Sequence, residues 1–217
     1  MKSKRLICCT ILMLSSVSTS AQGVDSWYLR GTAGYSMLDD QTGATSADLA
    51  AAGDAEFAID NGYTAGLGLG YQLNPSWSVE LYWEYRSHAA ETTLGNGERF
   101  DDGNYASNIF YLNGNYHWAT DGPWQPYVGA GIGWVEEIDI DLERSGEPER
   151  SFSDSGYVGF QFYTGVNYAL SPKWSLQGEI RYSVFDDIDL DEESGSGTIE
   201  GLDYDPFTAQ LGVVYRF

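Results

Sequence analysis

Eight stretches of this chain alternate apolar and polar side chains with a period of two. Each is long enough to cross a hydrocarbon layer as a tilted strand, which takes roughly 9 to 11 residues. The first, SWYLRGTAGYSM, sets Trp27, Leu29, Ala33, Tyr35 and Met37 against Arg30, Thr32 and Ser36. The third, WSVELYWEYRSH, sets Trp77, Val79, Leu81, Trp83 and Tyr85 against Ser78, Glu80, Tyr82, Glu84 and Arg86. The last sets Leu211, Val213, Tyr215 and Phe217 against Gln210, Gly212, Val214 and Arg216. Such a pattern demands strands with two unlike faces, and the 15% aromatic content with 26 glycines agrees with β structure.

The connections alternate in length. Between the second and third runs lies only NPS, between the sixth and seventh only SPK, and between the fourth and fifth ATDGPWQ. Four longer segments separate the runs at their other ends, roughly 38–56, 87–104, 139–155 and 186–205. The stretches GYQLNPSWSVELYWEYR and VNYALSPKWSLQGEIRY echo one another, each with Pro-x-Trp at the turn. Short turns on one rim and long loops on the other describe an outer-membrane barrel. The fold class expected is therefore all-β: an eight-stranded antiparallel up-and-down transmembrane β-barrel.

Soluble barrels also alternate, so the choice of solvent needs other evidence. Trp27, Trp77, Trp118, Trp124 and Trp174 all fall near the short-turn rim, as the aromatic girdle of a membrane interface would. A soluble exterior would carry scattered lysines, yet after residue 21 the chain has one, Lys173, in a turn. The polar face is rich in Gly, Ser, Asn, Gln and Tyr, which suits a narrow lumen. The glycines of GLGLG and GAGIG read as relief from lumen crowding, not as a phosphate loop.

The amino terminus combines Lys2, Lys4 and Arg5 with an apolar stretch from Leu6 to Val17 and the small residues Thr19-Ser20-Ala21. It reads as an export signal over 1–21, leaving a barrel over 22–217. Both cysteines, Cys8 and Cys9, lie in the signal, so no disulfide is expected. Removing three basic residues and no acids takes the net charge from −21 to −24, which disfavours nucleic acid as a partner.

With its export signal, its eight runs, the opening WYLRGTAGYS and the closing VVYRF, the chain resembles the small outer-membrane barrels that include the OmpA transmembrane domain and the opacity-type surface proteins. That resemblance implies insertion by the outer-membrane assembly machinery, which would recognise Tyr215 and Phe217 as its signal. It implies an outer-membrane location among lipid and lipopolysaccharide, as a monomer and without a cofactor. The separate peptidoglycan-binding domain of the OmpA family is not expected here, and neither is anchoring to the cell wall.

By parity, Arg30, Glu80, Glu84, Arg86, Glu179, Arg181 and Arg216 face the lumen, where a narrow, dry interior requires opposite charges to pair. The expectation is a polar plug. The excess acid lies in the loops: DDIDLDEESGSGTIEGLDYD holds nine acids and no base. Within it Asp187, Asp189, Asp191 and Glu193 are candidate ligands for a divalent cation, without EF-hand spacing. Otherwise the run is a solvated surface. The function expected is that of a non-enzymatic cell-surface barrel with acidic loops. One alternative is a narrow channel for small or hydrophobic solutes, resembling the OmpW type. The other is a lipid A acylhydrolase, whose His-x-Ser-Asn motif reads here as YASN, with Tyr105 in the histidine's place before Ser107 and Asn108. The histidines available are His88, near a loop end, and His117, at the rim opposite Ser107.

Overall fold

The computed structural model describes residues 26–46, 49, 53–146 and 148–217; the export-signal segment lies outside them. The strands are β1 (Ser26–Met37), β2 (Gln41–Ser46), β3 (Ala55–Ile59), β4 (Gly62–Asn74), β5 (Trp77–Leu94), β6 (Arg99–Phe100), β7 (Asn104–His117), β8 (Trp124–Leu142), β9 (Arg150–Asp154), β10 (Val158–Ala169), β11 (Trp174–Glu192), β12 (Thr198–Tyr204) and β13 (Phe207–Arg216). Eight of them close a ring of antiparallel neighbours: β1, β4, β5, β7, β8, β10, β11 and β13, with β13 returning to β1. These are the eight alternating runs. Closure leaves no edge whose N–H and C=O groups would need water, which hydrocarbon does not supply.

The ring turns its apolar face outward. Leu67, Leu81, Leu112, Ile132, Phe162 and Leu211 are exposed along its middle. At the short-turn end the exposed aromatics touch across strands: Trp27 on Tyr71 at 5.0 Å, Trp124 on Tyr168 at 4.6 Å and Trp174 on Tyr215 at 4.7 Å between ring centroids. From Trp77 to Tyr85 the strand runs about 27 Å. A tilt of about 40° reduces this to roughly 20 Å along the axis, close to the apolar band of outer-membrane barrels. On the inside, tyrosines lie flat over glycines of the next strand. A Cβ on Gly70 would sit 2.0 Å from the Tyr28 ring, and one on Gly129 would sit 2.2 Å from Tyr163. Only glycine leaves room for those rings, as the reading of GLGLG and GAGIG required.

The long segments differ from expectation. Instead of irregular loops they extend the strands into a second ring above the first. There β5 pairs with β3, β3 with β2, β2 with β12, β12 with β11, β11 with β9 and β9 with β8. The short β6 on β5 and a bridge from Asp102 to Glu143 complete the circuit. This upper storey is inverted: its interior is apolar, with Phe57, Leu94, Phe100, Ile140, Phe152 and Ile199 buried together. Each such side chain contributes roughly 1.5–3 kcal/mol relative to exposure. Its outer face is acidic.

On β8 and β11 a bulge accomplishes the inversion, whereas β5 keeps one parity throughout and its inward positions change from Glu84, Arg86 and His88 to Ala90, Thr92 and Leu94. On β8, Val135 is buried, Glu136 and Glu137 are both exposed, and Ile138, Ile140 and Leu142 are buried, beside a register shift against β7. On β11, Phe185 is buried, Asp186 and Asp187 are both exposed, and Ile188 and Leu190 are buried, beside a register shift against β12. An extra residue reverses the parity of everything beyond it. Asp187 takes φ 54°, a left-handed conformation that aspartate adopts more readily than most residues.

One stretch of the upper wall lacks a backbone ladder. Pairing of β10 with β11 ends at Phe160–Val184, and pairing of β9 with β11 begins only at Ser153–Asp191. Tyr157 closes the interval. Its ring packs on the apolar core. Its phenol oxygen accepts the Asp189 N–H at 3.0 Å and lies 2.8 Å from both the Asp189 carbonyl and Asp154 Oδ2, one of which takes its proton. Replacing Tyr157 by Phe keeps the ring and removes this bond. Hydrogen exchange followed by mass spectrometry should then quicken across 185–190 and stay unchanged in the lower ring around Leu81; unaltered exchange at 185–190 would refute the latch.

On the acidic outer face, burial and the neighbouring Asp141, Glu137 and Glu193 push the Asp139 carboxyl up to about 6 from its ordinary 3.8. A pKa raised by folding contributes stability that is complete below the unfolded value and lost as pH rises through the folded one. Asp139→Asn should therefore raise the urea midpoint at pH 7, with the advantage shrinking as pH falls from 6 towards 4. An equal advantage at both pH values would show that the strain is not electrostatic.

Candidate functional site

The polar positions of the lower ring converge on its axis. Arg30 stands on β1, Glu80, Glu84 and Arg86 on β5, and Glu179 and Arg181 on β11, each buried. Parity brings them inward, and the narrowness of an eight-stranded ring brings them together. They form one alternating chain. Glu80 Oε1 accepts from Arg30 at 2.7 Å, Arg30 donates to Glu179 Oε2 at 2.9 Å, Glu179 Oε1 accepts from Arg181 at 2.7 Å, Arg181 reaches Glu84 Oε2 at 3.3 Å, and Glu84 Oε1 accepts from Arg86 at 2.5 Å. Three carboxylates and three guanidiniums leave it neutral.

Glu179 is the hub. Besides both arginines it accepts from the Tyr127 hydroxyl at 2.6 Å and from Gln210 Nε2 at 2.6 Å. Tyrosine rings cover the guanidiniums: Arg30 lies 4.3 Å and Arg181 4.5 Å from the Tyr82 centroid, and Arg181 lies 4.9 Å from that of Tyr163. Their quadrupoles favour the cation without adding charge. At the upper end Arg86 also donates to Thr208 Oγ1 at 3.1 Å and to the Tyr204 hydroxyl at 3.4 Å. Tyr204 belongs to the upper storey, so the chain ends where the interior turns apolar. Parity alone marks Tyr127 and Gln210 as inward-facing, whereas Tyr204 lies in a segment read as loop.

Arg216 is the one expected lumen charge outside the chain. It lies at the short-turn mouth, donates to Ser175 Oγ at 2.8 Å, and has no ion-pair partner among the described residues. Parity assigns a face but not a height, and Arg216 sits too near the rim to reach the carboxylates. Beside it lies a cavity of about 20 Å³, lined by Tyr28, Arg30, Glu80, His117, Gln177 and Arg216 among others. Tyr215 and Phe217 are part of the aromatic belt, their rings 5.4 Å apart.

The loop acids do not gather into a cation site among the described residues. Asp187, Asp189 and Asp191 are exposed along β11, Glu193 follows its end, and among the described residues no three His, Cys, Asp or Glu side chains are placed to hold a metal ion. Asp189 Oδ1 accepts the Gly201 N–H at 2.9 Å, and Glu193 accepts from Ser153 Oγ at 2.9 Å. Their carboxylates support neighbouring strands instead. Ser107 hydrogen-bonds Tyr204 at 2.7 Å rather than a histidine. His88 Nε2 bonds Ser36 at 3.1 Å and His117 Nε2 bonds Ser78 at 3.0 Å, with both serines buried.

These features have relatives. A family model described as outer membrane protein beta-barrel domain matches residues 7–217. The outer membrane protein AlkL of Ectopseudomonas oleovorans is 24% identical over 168 residues, covering 76% of this chain and 70% of that protein. The crystal structure of OprG from Pseudomonas aeruginosa superposes with a TM-score of 0.67 at 18% identity, covering 89% of this chain and 96% of that one. Neisserial surface protein A superposes with a TM-score of 0.55 at 17% identity, covering 88% and 97%. A closed ring with its apolar face outward, matched over nearly its whole length by that family model, settles the question of solvent: the chain belongs to the outer-membrane β-barrel family and resides in the outer membrane of a Gram-negative bacterium.

Proposed function

We propose that this protein is a non-conducting, non-enzymatic barrel of the cell surface, whose extracellular storey presents a rigid acidic face. One observation carries the reading: the neutral six-charge chain spans the lumen, and the interior immediately above it is packed with apolar side chains. Water and ions would have to break buried ion pairs and then cross an apolar core. The outward carboxylates would meet lipopolysaccharide through divalent cations, since like charges otherwise repel. Tyr215 and Phe217, on the outer face of the closing strand, are the residues offered to the assembly machinery. Burial of Ser36 and Ser78 argues against hydrolysis, because a nucleophile must reach its substrate.

The apolar interior of the extracellular storey favours a second reading, a narrow path for hydrophobic solutes of the kind first considered from the sequence. Uptake of an apolar dye by vesicles containing the refolded protein, without ionic current, would select it.

Refolded protein in a planar bilayer should pass little current, and steady current from the wild type would overturn the plug. Glu179→Gln, which leaves Arg30 and Arg181 short of a partner, should raise conductance and lower stability in urea by about 3–5 kcal/mol. Unchanged conductance in that variant would place the barrier in the upper storey alone.

A further inference from the structure

Among the described residues the lumen's charge is out of balance by one, and the imbalance lies at the periplasmic mouth. The six-charge chain is neutral, and Arg216 adds a guanidinium with Ser175 Oγ as its partner. The cavity beside it is lined by Arg30, Arg216 and one acid, Glu80, whose carboxylate is already held by Arg30 at 2.7 Å. A cation half out of water, walled by protein, draws a counter-ion.

A second observation comes from His117, which is 7% exposed and lines the same cavity. Ser78 Oγ accepts from Asn115 at 3.3 Å and lies 3.0 Å from His117 Nε2 and 3.4 Å from the Tyr28 hydroxyl. The other ring nitrogen, Nδ1, is buried with no hydrogen-bond partner. Arg30 Nε is likewise buried and unpartnered. The lining therefore leaves a guanidinium N–H and a ring nitrogen unpartnered around a net positive charge.

We propose that the periplasmic mouth of the lumen binds a monovalent inorganic anion, chloride in ordinary media, against Arg216. Size decides the class. A cavity of about 20 Å³ holds about one water molecule. A halide is closer to that size than a tetrahedral oxyanion such as sulfate or phosphate, which would have to project from the cavity's open side. The anion neutralises Arg216 and completes the lumen's charge balance, with Ser175 orienting the guanidinium from the neighbouring strand.

The test uses the whole refolded barrel in detergent and chloride-35 NMR, whose line broadens when the ion exchanges with a protein site. Wild-type protein should give saturable excess broadening that bromide displaces and sulfate, at equal ionic strength, does not. Arg216→Gln should lose the saturable part, and Arg216→Lys should retain it. Broadening that is absent in the wild type, unchanged in Arg216→Gln, or displaced equally by sulfate would overturn the site. The bromide and sulfate comparison needs no variant, so the proposal remains testable if Arg216→Gln does not fold.

Discussion

Hydrocarbon offers a peptide group nothing to bond with, and the rest of this structure depends on that constraint. A strand placed there must find partners on both sides, so eight strands close on themselves, and β13 must meet β1 along the register from Tyr28–Arg216 to Met37–Phe207. Closure at eight strands leaves an interior just wide enough for side chains. The polar faces therefore collide at the axis. That collision makes Glu80, Arg30, Glu179, Arg181, Glu84 and Arg86 into one chain, and it reserves positions such as Gly70 and Gly129 for glycine.

The same chain then leaves the membrane without ending its strands, and the solvent rule reverses. Below, the outside is oil and the inside polar; above, the outside is water and the inside apolar. A strand passing between these media must change its inward residues from polar to apolar, as β5 does between His88 and Ala90, or exchange its faces. Single extra residues at Glu136–Glu137 and Asp186–Asp187 do so at the point where the inner face passes from Val135 and Phe185 to Ile138 and Ile188. The acidity of the chain follows. Its carboxylates lie mainly on the water-facing outside of the upper storey, where they keep a β surface soluble and discourage edge pairing.

The lower ring was legible in the sequence because period-2 alternation reports two faces directly, and eight runs of spanning length leave little choice of topology. Parity turns all seven charges inward, but it carries no height, and so it does not separate Arg216 at the mouth from the six that meet at the axis. The upper storey was missed because its acids look like loop composition. The signal was present in WVEEIDIDL and VFDDIDLD: paired acids followed by strict apolar–acid alternation are a bulge and a continued strand, with Ile138, Ile140, Ile188 and Leu190 turned inward. Tyr204 and Tyr157 were out of reach for a different reason. Their roles depend on which strands meet across the upper ring, a non-local fact that no local pattern encodes.

Continuity between storeys also determines where the molecule can yield. Strands β5, β8 and β11 run through both rings, and β5 and β11 carry charges of the polar chain and residues of the apolar core on the same backbones. Neither ring can shift against the other without shearing those three ladders. The remaining upper strands, β2, β3, β9 and β12, are short and held by few residue pairs, and one interval beside β11 relies on a tyrosine instead of a ladder. Local opening follows the least protected backbone bonds. It therefore begins beside Tyr157, while the ion chain below, enclosed on every side by paired strands, remains closed.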